Sequence, residues 1–298
     1  MTGRARGAVL AAASVLALSA CSGSSQSKPA PSSKSTDSTS SSVVFDSYVA
    51  LGDSFVSGPA IDPIDRESPG CLRSTRNWPR LLAKGLQVRD FADASCAGAT
   101  TQHLTGSTRF ASGSTSPAQL DSVSKKTDLV TVGIGGNDQA VFSALMSSCS
   151  AAFSANVRQC STYLRDTLPK VLQTTSKSIA AVLSEVRRRA PDARVLLVGY
   201  LRILPDDGQC KAAGVSGAAG ADLVEGEQRL DDALADGARL ARVDFLSLRE
   251  LSSGHDACAG AEAWVNGIRP KAGDGTVVHP NAAGMQAAAT AVAEHLGA

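Results

Sequence analysis

The chain carries almost no excess of charge of either sign. Its 29 lysines and arginines stand against 28 aspartates and glutamates, a formal net charge of +1. No basic face is implied, and nucleic acid is excluded as an expected partner. No long apolar run marks a membrane span either. The apolar stretch from Ala8 to Ala17 is too short to cross a bilayer, which takes about 20 residues as a helix. Neither a Cys-x-x-Cys nor a His-x-x-x-His pair occurs, so the usual zinc spacings are missing and no metal or organic cofactor is expected. Aromatic residues make up only 4 % of the chain, so close packing of small and aliphatic side chains has to fill the core. There is no internal repeat. Histidine is scarce as well, and any imidazole base is one of His103, His255, His279 and His295.

What is present divides the chain in three. Arg4 and Arg6 precede the apolar stretch, and Leu18-Ser-Ala-Cys21 follows it. This reads as a lipoprotein signal peptide over residues 1–20, cleaved before a lipidated Cys21. An ordinary signal peptide with Cys21 as a spare thiol is the alternative. Acyl chains on Cys21 supply membrane affinity of roughly 0.8 kcal/mol per buried CH₂. Residues 21–43 form a serine-rich linker that cannot bury apolar area and is expected to be disordered, reaching roughly 25 Å on average. Residues 44–298 are one domain's worth of sequence. Loss of the two leader arginines leaves 27 basic and 28 acidic residues, a net charge of −1.

Within that domain, short apolar runs at Tyr48–Leu51, Val88–Phe91, Leu129–Ile134, Val195–Val198 and Val243–Leu246 read as strands. Helical patterns occupy Trp78–Leu86, Thr167–Arg189, Leu223–Leu240 and Ala282–Leu296. Pro79 suits a first helical turn. Arg187-Arg-Arg189 places cations in a last turn, and Pro191 stops that helix. Five strands alternating with helices predict an α/β fold with a parallel, doubly wound sheet.

The chemistry concentrates at strand ends. In Tyr48-Val-Ala-Leu-Gly-Asp-Ser-Phe55 an apolar run stops at Gly52, and Ser54 follows, at the carboxyl end of the first strand, where open α/β sheets hold their ligands. A hydroxyl is a weak nucleophile until a base takes its proton. Asp274-Gly-Thr-Val-Val-His279-Pro-Asn offers that base, and Val132-Gly-Ile-Gly-Gly-Asn-Asp138 offers a side-chain amide after another strand. Nucleophile, amide donor and base suggest an acyl-transfer hydrolase.

Gly52-Asp53-Ser54, Gly98 within Cys96-Ala-Gly-Ala-Thr100, Gly135-Gly-Asn-Asp138 and His279-Pro-Asn resemble the four blocks of the SGNH (GDSL-type) esterases and lipases. The resemblance runs from about Phe45 to the C-terminus. The cysteines and Asn77-Trp78-Pro79 look most like the family's secreted actinobacterial branch. It implies a three-layer, flavodoxin-like arrangement of the sheet.

Ser54 is then the expected nucleophile, with a helix N-cap as its alternative role. The backbone N–H groups of Ser54 and Gly98, with the Asn137 side-chain amide, are the expected oxyanion donors. Plain turn roles are the alternatives for Gly98 and Asn137. Asp53 supports the turn and Asp138 reads as a cap of the next helix. His279 is the expected base. His255, beside Asp256, is its rival, while His103 could line the site and His295 reads as surface.

The family commonly carries aspartate three residues before the histidine, where this chain has Thr276. The Thr276 main-chain carbonyl is the favoured orienter of His279, making a Ser–His dyad, and Asp274 is the alternative. Setting Cys21 aside, six cysteines remain, an even number that suggests disulfides in an exported protein. Sequence alone leaves their pairing open. The resemblance implies Cys71–Cys96, Cys149–Cys160 and Cys210–Cys258. The expected protein is a monomeric, extracytoplasmic serine carboxylester hydrolase, a lipase or esterase on acyl-ester substrates, held at the membrane through Cys21 or released. Carbohydrate O-acetylesterase and a non-catalytic, surface-anchored binding module are the alternatives.

Overall fold

A computed structural model of the protein describes residues 44–68, 70–110, 113–154 and 159–298. The expected signal peptide, Cys21 and the serine-rich linker lie outside the described residues.

Five parallel strands form the sheet: β1 (Ser47–Gly52), β2 (Asp90–Asp93), β3 (Leu129–Gly133), β4 (Arg194–Val198) and β5 (Asp244–Leu246), in the order β2-β1-β3-β4-β5. β1 and β3 are buried along nearly their whole length, because helices cover both faces of a parallel sheet. This is why both read as continuous apolar runs rather than alternating ones. One polar pair is buried between them, the Tyr48 hydroxyl and Thr131 Oγ1 at 2.7 Å. On the other side of β1, the Tyr48 ring meets Phe91 of β2, with centroids 5.1 Å apart.

The helices that carry the layers are α1 (Ser54–Ser57), α2 (Trp78–Gly85), α3 (Val141–Cys149), α4 (Leu168–Arg189), α5 (Ala218–Ala241) and α6 (Ala282–Leu296). α2 packs against α6, and α4 packs against α5. Right-handed crossovers put these two pairs on opposite faces, since β1 leads to β2 in one direction and β3 leads to β4 and β5 in the other. The α4 stripe Leu168, Leu172, Ile179, Leu183 and Val186 is buried at helical spacing. Gly237 of α5 lets the two axes approach, because a Cβ there would lie 2.7 Å from Ile179 Cγ2.

The expected strands and helices are present with shifted ends. α5 begins at Ala218, five residues before the expected start, because Ala218-Ala-Gly-Ala-Asp222 has no apolar period to announce a helix. β2 begins at Asp90 rather than Val88, whose N–H instead bonds to the Ala83 carbonyl and closes α2. The helix expected after Asp138 is the short α3, and a two-stranded antiparallel ribbon, Thr108–Arg109 with Thr115–Ser116, was not expected. Disulfides join Cys71 to Cys96, Cys149 to Cys160 and Cys210 to Cys258, the sequential pairs. No helix among the described residues is long and apolar enough to cross a membrane.

Candidate active site

The chain leaves β1 and β3 in opposite directions, and a cleft opens past their carboxyl ends at this switch point. β1 ends at Gly52 with φ +154°, where a Cβ would lie 2.4 Å from Val56 Cγ2 and 2.5 Å from the Gly133 carbonyl oxygen. Only glycine lets the chain turn so tightly against β3. The buried Gln119 side chain braces this turn from outside the strand. It accepts from the Gly52 N–H at 2.7 Å and donates to the Gly52 carbonyl at 2.8 Å.

Asp53 caps α1, accepting the Phe55 N–H at Oδ1 (2.9 Å). The capping role weighed for Ser54 therefore belongs to its neighbour, and Ser54 opens the helix with its hydroxyl toward His279. The other Asp53 oxygen accepts the Tyr200 hydroxyl at 2.6 Å, and the same Tyr200 oxygen accepts the Gly136 N–H at 2.8 Å. Desolvation pushes the Asp53 carboxyl up to about 7, against the pull of its Tyr200 and Phe55 hydrogen bonds.

His279 Nε2 lies 2.8 Å from Ser54 Oγ, and Nδ1 lies 2.7 Å from the Val277 carbonyl oxygen. A carbonyl can only accept, so Nδ1 carries the proton in the neutral ring and Nε2 is left to accept from Ser54. Phe55 and Phe142 flank the imidazole, with centroids 4.9 and 6.1 Å away. Burial lowers the His279 pKa below its ordinary value, and the Val277 carbonyl opposes part of that shift.

The carbonyl that meets His279 Nδ1 is therefore that of Val277, not the expected one of Thr276. Val278, buried and β-branched, sits at φ 47°, a left-handed conformation that costs such a residue strain. It curls the chain so that the carbonyl two residues before His279 faces the ring. Asp274 is engaged elsewhere: its Oδ1 accepts the Ala282 N–H at 2.8 Å at the start of α6.

Asn137 donates one amide hydrogen to the Ala99 carbonyl at 3.0 Å, which leaves the second free to point elsewhere. The neighbouring Gly98 has φ 78° and open space around it. Its loop is pinned on two sides. Cys96 donates to the Gly52 carbonyl at 2.9 Å. Thr101 donates to Asp138 through N–H (2.8 Å) and hydroxyl (2.5 Å). Asp138 thus holds the Gly98 loop rather than capping α3. The left-handed Gln139 and Ala140 that follow it delay that helix to Val141. Among the described residues, neither the Ser54 nor the Gly98 N–H has a hydrogen-bond partner. Three donors are thus available around Ser54 and its neighbouring loops.

The other histidines are accounted for. His103, which could have lined the site, accepts the Thr100 N–H at Nδ1 (2.9 Å) and is absent from the cleft lining. His255 stacks on Trp264 at 3.8 Å and hydrogen-bonds the Glu262 carbonyl. His295 is exposed on α6.

The family model for GDSL-like lipases and acylhydrolases matches residues 50–287. The chain belongs to the GDSL-like lipase/acylhydrolase family. Lipase 2 of Streptomyces coelicolor is 31 % identical over 97 % of this chain and 96 % of its own length. A lipase of Streptomyces rimosus is 32 % identical over 74 % of this chain and 76 % of its own. The crystal structure of an extracellular lipase from Streptomyces rimosus superposes with a TM-score of 0.67 at 28 % identity, covering 85 % of this chain and 99 % of that one. The protein is accordingly a carboxylic ester hydrolase. Two cleft features went unread in the sequence, because no motif marks them. Tyr200 arrives from beyond β4, and the apolar wall of Phe142, Leu145, Leu223 and Leu230 comes from α3 and α5.

Proposed function

We propose that this GDSL-like hydrolase is a lipase that works by a Ser54–His279 dyad through an acyl-enzyme. His279 Nε2 takes the Ser54 proton as Oγ attacks the ester carbonyl, and the Val277 carbonyl stabilises the imidazolium that forms. The Ser54 and Gly98 N–H groups and the Asn137 amide receive the developing oxyanion, where each such donor is worth roughly 2.7–4 kcal/mol. The imidazolium then protonates the departing alcohol. A water, deprotonated by His279, releases the acid and restores Ser54.

The observation that carries this reading is the pair of bonds made by His279, 2.8 Å to Ser54 Oγ and 2.7 Å to the Val277 carbonyl, at the mouth of a mainly apolar cleft. The apolar wall suits an acyl chain, and the relatives named lipase point the same way. Three disulfides favour an oxidising, extracytoplasmic location. We place the enzyme outside the cytoplasm, with residues 44–298 as the hydrolase domain. A lipidated Cys21 and the serine-rich linker tether it to the membrane.

A series of nitrophenyl esters of increasing acyl length, run beside acetylated sugars, tests the substrate class. The expected result is kcat/KM rising beyond acetate. A preference for acetylated sugars would make the enzyme a carbohydrate O-acetylesterase, and inertness toward every ester would leave a binding module.

A further inference from the structure

The cleft that contains Ser54 is not apolar throughout. Besides Asp53 and Tyr200 at the serine turn, four ionisable side chains that the proton transfers above do not use line it: Glu227, Asp231, Arg202 and Arg249. Glu227 and Asp231 lie four residues apart on α5, on the same face as Leu223 and Leu230, so one helical strip presents both apolar and acidic groups.

Their hydrogen bonds are incomplete. Glu227 Oε2 accepts the Ile203 N–H at 3.4 Å and Asp231 Oδ2 accepts the Ser247 hydroxyl at 2.8 Å. Glu227 Oε1, Asp231 Oδ1 and Arg249 Nε are buried with no partner among the described residues. The Arg249 side chain is only 8 % exposed and spends Nη1 on Glu250. Arg202 is satisfied, through the Arg249 carbonyl and Asp206. A saturated alkyl chain laid in this cleft offers these groups no partner. A hydroxyl on that chain both donates and accepts, and so relieves two of them.

We propose that Glu227 and Asp231 form a hydroxyl-recognition subsite within the acyl cleft, so that the enzyme prefers esters of hydroxy acids to esters of the matching plain acids. This rests on the reading of Ser54 as the nucleophile of an ester hydrolase. Desolvation pushes Glu227 up to about 8 despite its Ile203 hydrogen bond and the pull of Arg249 and Arg202, toward the protonated form that can donate.

The test is kcat/KM for ethyl esters of terminal hydroxy acids against ethyl esters of the same acids without the hydroxyl, across short and medium chains, by pH-stat. At the best chain length the wild-type protein is expected to favour the hydroxylated ester about tenfold or more, the worth of one good hydrogen bond. Glu227→Leu should abolish that preference, and Glu227→Gln, whose amide still donates and accepts, should keep part of it. Equal rates on both series at every length would overturn the subsite, as would a preference that survives Glu227→Leu. If Glu227→Leu does not fold, the wild-type ratio and Glu227→Gln decide. Failure to hydrolyse either series would instead strike the ester-hydrolase reading beneath it.

Discussion

Tyr200 donates its hydroxyl hydrogen to Asp53 at 2.6 Å, joining the end of β4 to the turn that presents Ser54. Because the same oxygen accepts the Gly136 N–H at 2.8 Å, the serine turn and the Asn137 loop share one anchor. Ser54 and Asn137, the proposed nucleophile and amide donor, are thereby held in register from two different strands.

Removing that anchor leaves Asp53 Oδ2 and the Gly136 N–H without their partner. Tyr200→Phe is expected to cost about 1–3 kcal/mol of stability, read by denaturant unfolding, since a stranded buried group carries its desolvation penalty. It should also lower kcat about tenfold with little change in KM, because the loss falls on alignment rather than on substrate contacts. Unchanged kcat and stability would show that the bridge positions nothing.

His279 must be neutral to act as a base, and its pKa is lowered by burial. A lowered pKa keeps the ring neutral to lower pH. The acid limb of kcat/KM, which reports the free enzyme, is therefore expected below the ordinary imidazole value of 6.5. Asp53, pushed up to about 7, titrates nearby. Repeating the profile in Asp53→Asn separates the two, because the His279 limb should remain. An acid limb above 6.5 that persists in that variant would contradict the burial argument.

Asn137→Ala is expected to lower kcat by roughly 10²–10³ and to leave KM nearly unchanged, as for an oxyanion donor that acts mainly in the transition state. The variant also frees the Ala99 carbonyl, so a melting curve should accompany the kinetics. Full kcat in a folded variant would remove Asn137 from the oxyanion site.

Asp274→Asn is expected to keep kcat within a few-fold, because the amide oxygen can still accept the Ala282 N–H and because the Val277 carbonyl, not Asp274, meets His279. A fall approaching 10⁴, the penalty for mis-setting the base in a Ser-His-Asp triad, would make Asp274 the orienter instead.

The pattern of what was legible follows from what side chains encode. That Ser54 and His279 meet was legible because both stand in blocks resembling those of the family, one just after a strand end and the other before Pro280-Asn281, and because only four histidines compete. The sheet could be read because β1 and β3, buried on both faces, are continuous apolar runs. The carbonyl that meets His279 lies one residue beyond the expected Thr276 because a left-handed Val278 decides which carbonyl faces the ring, and nothing about valine announces that conformation. Asp138 looked like a cap because helix starts favour aspartate there, yet two left-handed residues move α3 onward and Thr101 takes the carboxylate. Tyr200 and Gln119 reach the serine turn from 147 and 67 residues away and sit in no local motif.

The most direct test of the Ser54–His279 assignment is active-site labelling with a fluorophosphonate, followed by peptide mapping in the mass spectrometer. The probe reports which hydroxyl is activated, independently of the substrate chosen. One equivalent is expected on the peptide carrying Ser54, with none in Ser54→Ala and labelling greatly slowed in His279→Ala, both variants retaining the wild-type melting temperature. Stoichiometric label on another residue, or Ser54 labelled as fast without His279 as with it, would contradict the dyad.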